Sequence, residues 1–405
     1  MKVLMFGWEF PPFVAGGLGV ACQDLVKGLC RNGVQITFVM PHAPQGASSP
    51  YAKIMGADAQ KILIQRVETL LTPYMSEQQY LLVYQTWKSR NPLHTVYGQN
   101  LFDEIARYTE AASQIASSED HDVIHVHDWM AFKAGINAKK KSKKPLVVHV
   151  HATEYDRTGG KPNEYIRRVE EEGLDSADHI VTISNYMKKQ IMLHYGVNAA
   201  KISVVHWGID HEVYQSKSRF CSPLSKNERI VLFLGRMTVQ KGPDYFVEAA
   251  CHVLRFVPNA RFVMVGDGDM MGQVINRVAQ LGLASRFSFT GFLRGEDVAK
   301  AYQMADVYVM PSVSEPFGLV GLEALKNNTP IIISKTSGVS EVVDHALRVD
   351  FWDVRGIADR IVGVLRYKAL QSELRRNGAV QVQGLGIDAP AKKIIGVYKR
   401  IGVGG

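Results

Sequence analysis

The strongest constraint on this chain is a rhythm of short apolar runs separated by stretches of helix formers. In the first half the runs are Val3–Phe6, Val34–Met40, Asp122–Val126, Leu146–Val150, His179–Ile183 and Ile202–Val205. In the second they are Ile230–Leu234, Arg261–Val265, Asp306–Met310 and Pro330–Ile333. Continuous apolar runs read as strands buried on both faces, and strands joined through helices run parallel. The expected class is therefore α/β with parallel sheets. The rhythm pauses between about Glu212 and Glu228, where four serines and Pro223 give a polar connector. At 405 residues the chain also exceeds one core, since single cores stop growing near about 250–300 residues. Residues 51–100 read as short strands and loops (Lys61–Glu68, Tyr80–Thr86), expected to insert over a cleft.

Composition excludes several classes. Apolar residues make up 46% and charged residues 21%, an ordinary balance for a globular protein. Met1 leads directly into a strand, with no secretory leader and no apolar run long enough to span a bilayer. A cytoplasmic protein is expected. Cys22, Cys30, Cys221 and Cys251 are scattered without a C-x-x-C, so they read as buried thiols rather than a disulfide framework or zinc knuckle. The net charge of +8 allows an acidic partner. Its densest run, Lys139, Lys140, Lys141, Lys143 and Lys144, precedes a strand and so lies opposite the strand ends where ligands bind. It reads as a solvated loop, with peripheral docking on anionic lipid as the sharper alternative. No aromatic residues interleave the lysines, which argues against nucleic acid.

The richest stretch is Pro311-Ser312-Val313-Ser314-Glu315-Pro316-Phe317-Gly318-Leu319-Val320-Gly321-Leu322-Glu323-Ala324-Leu325. Pro311 ends a strand because it has no N–H to donate, and Gly318 opens a helix. A helix start presents unpaired N–H groups and partial positive charge, which suits a phosphate. Glu315 and Glu323 flank it, and ionised carboxylates accept hydrogen bonds from vicinal hydroxyls. Earlier, Gly235-Arg236 and Lys241-Gly242 bracket the turn after Ile230–Leu234. An Arg fork with a Lys point charge is a good device for a diphosphate. Gly16-Gly17 precedes the first helix and Gly266-Asp267-Gly268 follows a strand, and either pair lets backbone approach a ligand. His125, His127, His149 and His151 form two H-x-H pairs at strand ends. Imidazole is the commonest metal ligand, but no spacing supplies a thiolate or carboxylate as a third. One histidine of each pair is expected to pack and the other to face a cleft.

Glu-Pro-Phe-Gly-Leu followed by Leu-Glu-Ala-Leu closely resembles the Glu-x7-Glu element of retaining glycosyltransferases of the GT-B fold, the glycogen and starch synthase-like group (family 4/5 type). The resemblance runs from Val3 to about Arg400. It implies two Rossmann-like domains facing one cleft, an acceptor-side domain over 1–212 and a nucleotide-sugar domain over 213–385, with 386–405 crossing back onto the first. It also implies transfer of a hexose, glucose first, from ADP-glucose or a UDP-sugar to a hydroxyl acceptor, with retention and without a bound metal or other cofactor. Glycogen-like α-glucan is the first expected acceptor, and a lipid or surface glycan the second. Arg236 and Lys241 match the diphosphate pair. Gly16, Gly17, Gly266, Gly318, Leu319, Val320 and Glu323 match donor contacts, Glu315 matches the residue that orients the sugar, and His151 the histidine that touches it. There are three departures. Val14 stands where the synthases have Lys, Trp207 replaces an Asn of mainly structural role, and Ser337 stands where relatives often have Gly. A sugar-nucleotide epimerase, a phosphorylase and a silent sugar-binding protein share this scaffold and remain as other readings.

Overall fold

The computed structural model describes residues 1–8, 10, 17–40, 62–66, 101–211 and 227–403. Val14, Gly16, Cys221, the run Tyr80–Thr86 and nearly all of the 212–228 connector lie outside them.

The first sheet holds seven strands, β1 (Lys2–Phe6), β2 (Gln35–Met40), β3 (Ile62–Arg66), β4 (Val123–His127), β5 (Leu146–Val150), β6 (His179–Thr182) and β7 (Ile202–Val204). They run parallel in the order β3-β2-β1-β4-β5-β6-β7. The second holds β8 (Arg229–Leu234), β9 (Ala260–Val265), β10 (Phe287–Gly291), β11 (Val307–Met310), β12 (Ile331–Ser334) and β13 (Leu347–Val349), parallel in the order β10-β9-β8-β11-β12-β13. These are two Rossmann-like sheets of the GT-B fold. Each order reverses direction once, between β1 and β4 and between β8 and β11. In open α/β sheets that reversal leaves a crevice beyond the carboxyl ends of the strands, where ligands bind.

Burial explains why the runs were readable. Every residue of β4, β5, β11 and β12 is buried, so their sequences are continuous rather than alternating. The last helix, Asp388–Arg400, places Ala391, Ile394, Val397 and Tyr398 in one core with Val3, Met5, Leu25, Val26 and Leu29 of the first half. Among the described residues no helix is long and apolar enough to cross a membrane.

Two local readings need correcting. Ile62–Arg66 is not part of an insertion over the cleft but the edge strand of the first sheet, in parallel register with β2. The helix Glu164–Ser176 starts where it does because the Asn163 side chain accepts from the N–H groups of Tyr165 and Ile166 and caps it there. The basic run is a solvated loop only at Lys143 and Lys144, which are exposed beyond a helix end. Lys139, Lys140 and Lys141 occupy the last turn of the helix Trp129–Ser142, where cations complement the carbonyl end, and Lys143 closes it in the left-handed region. Lys139 also bridges to Asp178 at 2.8 Å.

Candidate functional site

The crevice of the second sheet is lined by the loops after β8 and β11. Backbone bonds lock the β8 loop to its neighbour: Met237 N–H donates to Asp267 O (2.9 Å) and Met270 N–H to Met237 O (2.9 Å). Gly266 has φ 125°, and a Cβ there would lie 2.0 Å from the Gly235 carbonyl oxygen. Close packing of these two turns therefore requires Gly266, in addition to any ligand contact. Arg236 follows β8 with an exposed residue surface. Lys241 closes the short turn Val239–Lys241 just before the helix Pro243–Phe256.

The β11 loop meets that turn directly. Val313 N–H donates to Gln240 O (2.9 Å), and Lys241 Nζ lies 2.5 Å from Glu315 Oε2, which also accepts from Ser312 Oγ (3.1 Å). Glu315 is buried, and its main chain bonds to Thr336 O and Gly338 N–H. Lys241 was expected to face a diphosphate and Glu315 a sugar, whereas here they face each other. Gly318 then sits at the N-cap of the helix Leu319–Lys326 with φ 103°, a conformation that favours glycine, and no side chain caps it. The open first turn, Leu319 and Val320, thus begins beside the Lys241–Glu315 pair, since a Cβ on Gly318 would sit 3.1 Å from Glu315 Cγ.

Glu323 lies farther along this helix and accepts from Tyr302 Oη at 3.2 Å. Burial pushes its pKa up to about 7, partly offset by that bond. Asp24 of the first domain is also raised to about 7, by burial and then by the charge of Asp210, with a smaller push from Glu323 across the gap. Gly17 is the first residue of the helix Gly17–Arg31 that carries Asp24.

The β11 loop also touches the first domain. Ser314 Oγ donates to Asp156 Oδ1 (2.6 Å) and lies 3.0 Å from Tyr186 Oη, while Ser184 Oγ donates to Pro316 O (2.7 Å). Phe317 meets Trp207 edge-on at 5.6 Å. Beside them Glu341 accepts from the N–H groups of Asn185 and Tyr186 (2.8 Å each) and from His206 Nε2 (2.8 Å). Burial alone would raise the Glu341 pKa, but these bonds outweigh it and hold it down to about 2. Glu315 is thus gripped from both flanks by the opposite domain. Asp156 itself belongs to a buried hub in which Arg157 bridges Glu154 (3.0 Å) and Glu170 (2.5 Å). No local pattern signals the bond between this hub and the β11 loop, since Ser314 and Asp156 lie 158 residues apart.

The crevice of the first sheet differs. His125, His127, His149 and His151 are all buried and stack on one another, so the expected division into packed and cleft-facing members does not hold. His127 Nδ1 faces His151 Nε2 at 2.8 Å, His125 Nε2 faces His149 Nδ1 at 3.2 Å, and His125 Nδ1 meets Tyr398 Oη at 2.5 Å. Burial, reinforced by neighbouring imidazoles for all but His127, drives the four pKa values down and keeps the rings neutral. His151 ends the stack under Trp207, at 5.2 Å between rings. Trp207, read from sequence as structural, therefore links His151 to Phe317 and the β11 loop. Cys22 supplies the third donor that no spacing had revealed, since its ligand atom and those of His127 and His151 lie within 4.8 Å of one another.

Comparison with known proteins covers both halves. The profile described as Glycosyltransferase Family 4 matches residues 15–213, and that described as Glycosyl transferases group 1 matches residues 215–381. An uncharacterized glycosyltransferase of Methanocaldococcus jannaschii is 31% identical over 357 residues, 85% of this chain and 83% of the relative. A glycogen synthase of Mycobacterium tuberculosis is 26% identical, covering 90% and 86% of the two chains. Among solved structures, sucrose-phosphate synthase from Thermosynechococcus elongatus superposes with TM-score 0.78 at 20% identity, over 99% and 98% of the chains. An Anabaena protein in complex with UDP and glucose gives 0.73 at 18%, over 99% and 100%. The catalytic domain of starch synthase IV from Arabidopsis thaliana, bound to ADP and acarbose, gives 0.74 at 15%, over 99% of each chain.

Proposed function

The chain belongs to the GT-B glycosyltransferases of the glycogen synthase-like group, and on that premise we propose that it moves a hexose, glucose first, from a nucleotide-diphosphate sugar to a hydroxyl of a glycogen-like α-glucan. The observation that carries this is the Lys241–Glu315 pair lying beside the uncapped start of the helix Leu319–Lys326. As the bond between the anomeric carbon and the diphosphate oxygen stretches, negative charge builds on the departing group. Lys241, Arg236 and the free N–H groups at Leu319 and Val320 answer that charge as preorganised stabilisers. Lys241 then divides its interaction between Glu315 and phosphate, which leaves Glu315 an acceptor for sugar hydroxyls. Glu323 accepts from the ribose, Gly266 and Gly17 flank the donor, and His151 bounds the sugar from the first domain.

Structural neighbours crystallised with UDP or ADP support a nucleotide donor for this chain. No carboxylate is assigned as a nucleophile on the far sugar face, so the two-carboxylate scheme of glycosidases is set aside, and transfer with retention follows the family. A lipid or surface glycan acceptor is the second reading, favoured by the lysines at the end of the helix Trp129–Ser142. The test is release of nucleoside diphosphate from ADP-glucose and UDP-glucose with and without glucan. Release that depends on glucan supports the proposal. Sugar-nucleotide isomerisation without acceptor, or turnover that needs inorganic phosphate, sinks it.

A further inference from the structure

Four buried imidazoles and a buried thiol at one sheet end are more polar chemistry than a sugar contact at His151 requires. His127 Nε2, His149 Nε2 and His151 Nδ1 are buried with no hydrogen-bond partner among the described residues. A buried polar atom left unpaired costs on the order of 1–3 kcal/mol, so three in one cluster call for an explanation. His127 Nδ1 and His151 Nε2 lie 2.8 Å apart and share one proton in a hydrogen bond, so a metal taking either nitrogen would displace that proton onto the opposite, unpaired ring nitrogen. The ligand atoms of Cys22, His127 and His151 already lie within 4.8 Å of one another, and all three residues are buried.

We propose that Cys22, His127 and His151 form a binding site for one zinc ion, with water in the fourth position. A nitrogen and sulfur donor set selects zinc over magnesium or calcium, which take oxygen ligands. Tetrahedral zinc with bonds of about 2.0–2.3 Å sets ligand atoms roughly 3.3–3.6 Å apart, within a modest side-chain adjustment of the present spacing. Zinc binds the unprotonated ring nitrogen of each histidine and the Cys22 thiolate, so binding displaces the thiol proton to solvent. This goes beyond the transfer reading. It adds that zinc bound here holds the His151 ring and so inhibits any reaction that uses it.

The test uses the full chain stripped with chelator, then titrated with Zn2+ and separately with Co2+. The expected result is one tightly bound equivalent. The cobalt form should show tetrahedral visible bands and a near-ultraviolet thiolate-to-metal band. Cys22→Ser removes the near-ultraviolet band and weakens zinc binding by at least about tenfold. Cys30→Ser, a buried thiol on the same helix outside the cluster, keeps both. Should Cys22→Ser fail to fold, His127→Asn takes its place. Less than a small fraction of an equivalent bound by the wild type overturns the site, as does a cobalt spectrum unchanged by these substitutions. Because the readout is metal binding, it stands whether or not glucan is the acceptor.

Discussion

The two crevices share a topology and differ in almost everything else. Each lies where the strand order reverses, beyond β1 and β4 in one sheet and beyond β8 and β11 in the other. The second is charged and partly open, with exposed Arg236, a Lys241–Glu315 pair and a bare helix start. The first is closed and neutral, a stack of imidazoles under Trp207. The contrast teaches that topology chooses where a site forms and side chains choose its chemistry. On the proposed reading it also divides the labour, the charged crevice answering the departing diphosphate and the neutral one lying beside the sugar.

The sharpest way to break this comparison is to discharge the second crevice. Lys241→Ala leaves buried Glu315 without its cation and removes a stabiliser of the departing group, so turnover should fall about 100-fold or more. Steady-state rates of nucleoside diphosphate release check it, and a loss within about threefold would mean the charge there does no catalytic work.

A second prediction concerns Glu323, whose pKa stands at about 7. In the proposed role its carboxylate accepts both ribose hydroxyls when ionised and binds them more weakly when protonated. Apparent donor affinity should therefore fall as pH drops through 7, by about tenfold between pH 8 and pH 6. Glu323→Gln should flatten this dependence, and a flat wild-type profile would remove Glu323 from the donor contacts.

The domain contact allows two smaller tests. The Glu341 pKa lies below the ordinary carboxylate value, so the stability it contributes is present above about pH 4.5 and disappears as pH falls toward 2. After solvent screening, Glu341→Gln should cost about 1–2 kcal/mol at pH 7, with the gap to wild type closing in acid. Thermal melts across pH measure it. Finally, Ser314→Ala loses the bonds to Asp156 and Tyr186 that grip the Glu315 loop. It should lower kcat roughly several-fold with little change in donor KM. An equal loss in the two parameters would place Ser314 in binding rather than positioning.

The sequence by itself determined the strands, the α/β class, the family and the residues that now surround the β11 loop. Those signals are local: a buried parallel strand is apolar along its whole length, and a Pro-to-Gly turn at a helix start is written in consecutive residues. What only the tertiary structure decided depends on partners distant in sequence. It paired Lys241 with Glu315 74 residues away, clamped Ser314 to Asp156 across the domains, placed Trp207 against His151, and brought Cys22 to the histidines. It also packed all four histidines into one buried stack, with His151 at its end, where two packed and two open rings were expected. Alternation along a strand fixes which face a side chain takes, but the packing of that face fixes whether water reaches it.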